Sequence, residues 1–302
     1  MEKKTRKTVG RKCRKHRLVT VVFTVCAIFA AIALFLYGWT ASCEKYAHVS
    51  PSYGKQDISR NLQKEVLDQE DYRLLYLQTG LGHMTVDKLL SQGREQEIYG
   101  IQNLFFQSVH VECEPNTVIS REEYLVDEEG GKTTGMHIVD VEDGDILITF
   151  CSHTLGWRNG HAALVTDAEN RLVLEAQVLG SPSVITSLNR WESYPSFMIL
   201  RLTEADSRTR SMIAAYAQKE LTGVPYRLEA GIKDAWLFRS KKKEPAENAV
   251  LTGTHCSHLV WYAYRHFGYD LDSDGGLVVT PRDIADCDSL EVVQIYGIQN
   301  SD

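Results

Sequence analysis

The chain has 302 residues, 43% of them hydrophobic and 24% charged, which excludes wholesale disorder and allows one sizeable core with an appendage. Residues 1–17 hold nine Lys or Arg against one acid, Glu2; removing them from the totals of 33 basic and 40 acidic residues leaves 24 and 39, a net charge of −15. So acidic a remainder excludes a general nucleic-acid binder, because phosphate neutralisation needs a basic face.

After the basic run, Leu18 to Trp39 carries no charge and is Leu, Val, Phe, Ile and Ala almost throughout. About 20 such residues at about 1.5 Å rise span a hydrocarbon core of about 30 Å. The apolar core of a cleaved signal peptide is about 7 to 15 residues, so this longer stretch reads as an uncleaved single-pass anchor. Secretion after cleavage near Thr40, Ala41 and Ser42 is the alternative. Lys and Arg are retained on the cytoplasmic side, which places the residues after 40 outside. The domain reading is a basic cytoplasmic tail (1–17), a transmembrane signal-anchor (18–39), a stalk and helical region (40–134) and a final domain (135–302). Of seven cysteines, Cys43, Cys113, Cys151, Cys256 and Cys287 lie beyond the span. An odd number there leaves at least one thiol unpaired or shared between chains, and no pairing follows from sequence.

Residues 44–54 read as a stalk. Ile58, Leu62, Val66, Leu67, Tyr72, Leu74 and Leu75 recur at mostly helical spacing and predict an amphipathic helix from Ile58 to about Tyr76. Thr79 to Gly82 breaks it. Thr85 is expected to cap a second helix through Val86, Leu89 and Leu90 that Gly93 ends, and a third covers Glu97 to Gln107. This helical region reads as a packing or spacer element. From Gly135 the texture changes to short apolar runs, Ile146–Phe150, His161–Val165 and Leu172–Ala176, between turns at Trp157–Gly160 and Asp167–Asn170, which predict an antiparallel meander. A strand pair at Ser183–Thr186 and Met198–Leu202 follows. Helices return at Ala205–Leu221 and at His255–Phe267, the latter with Thr254 as cap and Gly268 as stop. Lys241–Lys243 reads as a solvated loop.

Cys256 falls in the first turn of the last helix, where unpaired amides and the helix dipole favour an anion. A thiol of pKa about 8.5 is lowered in such a place, more so beside an imidazolium. The plain alternative is a buried structural cysteine. His161 opens a strand after a Trp-Arg-Asn-Gly turn, and Ala162 and Ala163 leave room for another element to approach. Glu175 ends the next strand, so one hairpin can place both side chains near one end of a sheet, where a carboxylate would orient the imidazole.

Leu221, Gly223, Pro225 and Tyr226, followed by His255-Cys256-Ser257-His258-Leu259-Val260-Trp261-Tyr262-Ala263-Tyr264 and Gly268, resemble the first half of NlpC-type cell-wall peptidases. Gly144-Asp145-Ile146-Leu147, Gly160-His161-Ala162-Ala163-Leu164-Val165 and Leu174-Glu175-Ala176 resemble their second half. The halves stand here in reversed order, as in the permuted YiiX and YaeF-like amidase group. The resemblance covers about residues 135 to 300 and implies an α+β, papain-like fold of circularly permuted NlpC type. It carries nucleophile onto Cys256, base onto His161 and the third polar position onto Glu175. Tyr226 is implied to line the site, and Trp157 and Ser257 are read with it as substrate contacts. His255 replaces the relatives' Asp before the cysteine, and His258 replaces their Gly two positions after it.

Cys151-Ser152-His153 echoes Cys256-Ser257-His258, but Cys-x-His is not a usual zinc pair; no metal or cofactor is expected, and Cys151 reads as structural. The expected function is an extracytoplasmic cysteine hydrolase working through an acyl-enzyme, with a peptidoglycan peptide as leading substrate. A lipid amide or ester is the enzymatic alternative, and a non-catalytic binding or assembly module the alternative of another class.

Overall fold

The structure, a computed structural model, describes residues 2–42, 48–230 and 251–298; the start of the expected stalk and Lys241–Lys243 lie outside them. Helix α1 (Glu2–Ser42) contains Val19–Trp39, whose 21 residues and mean hydropathy of 2.8 make it long and apolar enough to cross a membrane; none of those residues is buried. Its end touches the rest of the chain: Trp39 Nε1 donates to the Leu155 carbonyl at 3.3 Å, and the Arg121 guanidinium lies 5.3 Å above the Tyr37 ring.

The expected helix from Ile58 to Tyr76 is two helices, α2 (Ser59–Leu62) and α3 (Gln69–Thr79). Asp68 and Asp71 exchange side-chain bonds with each other's backbone N–H in a capping box, and this local pairing restarts the helix that periodicity drew as continuous. Helix α4 (His83–Ser91) starts from Gly82, not from Thr85, whose hydroxyl donates to the Val293 carbonyl at 2.9 Å. Helix α5 (Glu95–Phe105) follows.

Two strands that the apolar pattern does not announce come next, β1 (His110–Pro115) and β2 (Ser120–Val126). Beyond them lie β3 (Ile146–Thr149), β4 (Ser152–Thr154), β5 (His161–Asp167), β6 (Leu172–Glu175), β7 (Val184–Ser187), a 3₁₀ turn (Leu188–Ser193), β8 (Phe197–Leu202), α6 (Ser207–Glu220), α7 (Cys256–Arg265), α8 (Pro281–Ala285) and β9 (Leu290–Tyr296). The main sheet is antiparallel with strand order β7-β6-β5-β3-β8-β9; β1, β2 and β4 form a separate antiparallel wall. Mixed helices and antiparallel sheets agree with the α+β expectation.

Both faces of the main sheet are covered, which is why its strands are continuous apolar runs. Leu147, Ala163, Val165, Val173, Ile199 and Val293 pack with Ile58, Leu75, Val86, Leu89 and Ile98 of the helical region. Ile146, Ile148, Ala162, Leu164, Leu174 and Leu200 pack with Ile213 and Ala217 of α6 and Leu259, Val260 and Ala263 of α7. Each fully buried Val, Leu or Ile side chain among them contributes about 1.5–3 kcal/mol. The helical region is therefore a layer of the folded unit. Its α3–α4 connection follows the edge strand closely: Ile295 N–H donates to the Gly80 carbonyl at 2.7 Å, and Gly82 N–H donates to the Val293 carbonyl at 3.0 Å. Gly80 takes φ of +71°, and a Cβ on Gly82 would lie 1.7 Å from the Val292 carbonyl oxygen, so neither position accepts a side chain.

Candidate active site

Helix α7 begins at Cys256 because His255 has extended backbone (φ −128°, ψ 176°) and its Nδ1 accepts the His258 N–H at 3.5 Å. His255 is thus the cap expected at Thr254, whose hydroxyl instead meets His258 Nδ1 at 3.1 Å. As the first helical residue, Cys256 has a backbone N–H with no acceptor inside the helix. Gly268 follows the helix with φ of +90°, the stop the sequence placed there.

Strand β5 brings the imidazole. Ala163 pairs with Glu175 across β5 and β6, so His161, two residues earlier, shares a face with Glu175 on the diagonal. His161 Nε2 and Glu175 Oε2 lie 2.7 Å apart with both side chains buried. With Nε2 held there, Nδ1 is the nitrogen left for Cys256, which lines the same cleft as His161 and interacts with it electrostatically. The ring stacks on Trp191 at 5.5 Å and 19° between planes, which fixes its tilt.

The charges of the three groups support one another. Burial opposes the thiolate of Cys256, yet its side-chain and electrostatic interactions with His161 and His255 take the thiol well below its ordinary range. Burial likewise opposes the imidazolium, and the bonds and charges of Cys256 and Glu175 outweigh it, holding His161 at about 10. Glu175 is depressed to about 2 against its own burial by His161, Arg190 and Thr186. All three shifts run in the direction of a thiolate–imidazolium pair with a carboxylate behind it.

Glu175 is held by more than the histidine. Its Oε1 accepts from Gln177 Nε2 at 2.7 Å, Thr186 Oγ1 at 2.5 Å and Arg190 Nη1 at 3.3 Å. Arg190 also reaches Glu122 of β2 at 3.5 Å and the Tyr194 hydroxyl at 2.7 Å. Tyr194 donates to Glu122 at 2.7 Å, and Tyr124 donates to the other oxygen of Glu122. Sequence reasoning missed Glu122, Tyr124, Arg190, Trp191 and Tyr194. Three of them surround a carboxylate on a strand whose buried charges hide it from an apolar-pattern search.

Cys256 and His161 open into a cleft of 420 Å³ between the main sheet, the β1-β2-β4 wall and the loop at 226–228. Its polar lining includes Arg121, Glu122, Asn159, Gln177 and Arg190, and its apolar lining Ile119, Val178, Leu179 and Leu228. Tyr226 lines it as expected; burial, together with the Cys256 thiolate, pushes its phenol upward. Two expected substrate contacts differ. Ser257 is 1% exposed and donates to the Val279 carbonyl at 2.8 Å, because the second residue of α7 turns toward the core, away from the cleft. Trp157 stands outside the lining, 66% exposed on the turn whose backbone pairs with Thr154. Cys151 is buried against Ser196 at 3.3 Å and its thiol is pushed up to about 12 by burial, in keeping with a structural role.

No family model matches the chain, and no curated protein matches it. The chain is similar to a solved structure. It is that of YiiX from Escherichia coli O157:H7, described as a metalloprotein, at 18% identity and a TM-score of 0.37, covering 50% of this chain and 96% of that one.

Proposed function

We propose that the chain is a membrane-anchored, extracytoplasmic cysteine hydrolase with the papain-like, permuted NlpC arrangement of its two halves. The observation that carries this reading is the buried Cys256–His161–Glu175 series, in which the thiol is depressed and the imidazole raised. A structural cysteine has no need of a charged partner; Cys151 shows that state in the same molecule.

In the proposed reaction the Cys256 thiolate attacks an amide or ester carbonyl carbon, and the Cys256 N–H at the start of α7 donates to the oxyanion. His161 Nδ1 passes its proton to the leaving nitrogen or oxygen as the acyl-thioester forms. The neutral imidazole then takes a proton from water, whose oxygen attacks the thioester and releases the acid and the thiolate. Glu175 keeps Nε2 protonated throughout and stays ionised.

The leading substrate is a cell-wall peptide amide, to which the charged and amide groups of the cleft floor offer partners. A lipid amide or ester is the second reading, favoured by the apolar rim: Leu179 and Leu228 are 67% and 64% exposed at the cleft mouth. Trp39, at the end of the apolar span, bonds the Leu155 carbonyl on the neighbouring wall turn. Incubation of the full chain with purified muropeptides and, separately, with phospholipid vesicles, followed by mass analysis, distinguishes them. Products that require Cys256 in one arm assign the substrate; no product in either arm rejects the hydrolase and leaves a binding module.

A further inference from the structure

The β1-β2-β4 wall carries chemistry of its own. Glu122, Tyr124 and Ser152 face the cleft. Alternating with these along the strands, register places Cys113 of β1 directly opposite Glu123 of β2, and His153 of β4 opposite Arg121, hence diagonal to Glu123; Arg121 and His153 also border the cleft. Three strands thereby present a thiol, a carboxylate and an imidazole to one point. Cys113 Sγ is 3.4 Å from His153 Nε2, His153 Nε2 is 3.8 Å from Glu123 Oε1, and all three ligand atoms lie within 4.8 Å of one another.

Cys113 and His153 hydrogen-bond each other, His153 and Glu123 form an ion pair, and these separations are also close to those an ion held between the groups would require. An imidazole nitrogen 3.8 Å from a carboxylate oxygen is beyond hydrogen-bond reach. Tetrahedral bonds of about 2.3 Å to sulfur and about 2.0–2.1 Å to nitrogen or oxygen require edges of about 3.6 Å for S···N and about 3.3 Å for N···O. The S···N and N···O separations of 3.4 and 3.8 Å lie within about half an ångström of these edges. Glu123 and His153 are 0% and 1% exposed while Cys113 is partly open, which gives a dry site with a way in. Arg158 Nη2 donates to that same Glu123 Oε1 at 2.7 Å and fixes the orientation of the carboxylate. The same arginine donates to the Phe150 carbonyl at 3.1 Å, in the segment between β3 and β4.

We propose that Cys113, Glu123 and His153 bind one zinc-like divalent transition-metal ion that pins β1, β2 and β4 together. The mixed sulfur, nitrogen and oxygen set favours a borderline-soft ion over calcium or magnesium, which take oxygen. Binding replaces the Cys113 S–H proton, released to solvent, with a metal–thiolate bond and needs neutral His153. None of its ligands belongs to the Cys256–His161–Glu175 series, although His153 borders the same cleft, and the proposal stands whether or not the hydrolase reading does. It departs from the sequence expectation of no metal because the decisive cysteine is Cys113, distant in sequence, and not the neighbouring Cys151.

The test uses the full chain in detergent, stripped with chelator, dialysed, and titrated with cobalt(II) and then zinc(II). The expected result is one ion per chain with a thiolate-to-cobalt charge-transfer band and the strong visible bands of four-coordinate cobalt, bleached by zinc. Cys113→Ser and His153→Ala should weaken binding at least about 100-fold, whereas Cys256→Ser should leave it unchanged. Glu123→Gln guards against misfolding: it keeps the thiolate band with weaker binding, while pH 6 alkylation of Cys256 reports an intact fold. No uptake by the unaltered chain, a spectrum without the thiolate band, retention in Cys113→Ser, or loss in Cys256→Ser would each overturn the proposal.

Discussion

Replacing Glu175 with Gln removes one charge at nearly constant volume and tests the electrostatics of the site. Three donors converge on Oε1 of Glu175, namely Gln177, Thr186 and Arg190. In Glu175→Gln they select the amide orientation whose oxygen faces them, so its NH₂ faces His161 Nε2. That nitrogen must then accept, Nδ1 must carry the remaining proton, and the ring can no longer take one from Cys256. Opposite charges about 4 Å apart at an effective dielectric of about 20 interact by about 4 kcal/mol, or about three pKa units at about 1.36 kcal/mol each. His161 therefore falls and Cys256 rises. The assay is the rate of Cys256 alkylation by iodoacetamide at pH 6, where the thiolate share should drop about 100- to 1,000-fold, with the melting temperature as a control for fold. A drop of less than about fivefold in a folded variant would refute the argument that Glu175 sustains the ion pair.

Further outcomes follow from the same geometry. The alkylation rate of the unaltered chain should stay level between pH 9 and pH 7, where a free thiol of pKa about 8.5 loses about 25-fold; a loss of that size would place Cys256 in its ordinary range. A raised imidazole contributes stability in full below the unfolded histidine pKa of 6.5 and loses it as pH rises through about 10. The melting temperature of the unaltered chain should therefore approach that of His161→Gln as pH rises from 6 through 10, and a constant gap would contradict the raised value. Ser257→Ala should cost about 1 kcal/mol by leaving the Val279 carbonyl without its donor, with alkylation of Cys256 unchanged; a large fall in reactivity would restore Ser257 to the site. Gly82→Ala should destabilise by about 1–3 kcal/mol or more, because its Cβ meets backbone of the edge strand, and a neutral result in thermal unfolding would separate the helical layer from the sheet.

What the sequence made legible is what local patterning encodes. The β5–β6 hairpin with His161 and Glu175, and the α7 start with Cys256, lie within short stretches of ordinary strand and helix character, and the structure brings the three side chains together. The wall was hidden because Ser120–Val126 buries Arg121, Glu122 and Glu123, so its strand has no apolar alternation to find. Distant residues, Arg158, Arg190 and Tyr194, join the nearby Tyr124 in satisfying the two glutamates. The division of the Ile58–Tyr76 helix turned on one capping box, a local hydrogen-bond choice that competes with apolar spacing. Ser257 was misread because adjacency to a nucleophile says nothing of direction on a helix, where successive side chains point about 100° apart.

The most direct measurement of the central claim is the intact mass of the full chain after brief exposure to an activated acyl ester at pH 6. The thiolate–imidazolium account predicts a single acyl adduct located on Cys256 and absent from His161→Ala. An unmodified chain, or an adduct on Cys151 or Cys287 with Cys256 untouched, would contradict it.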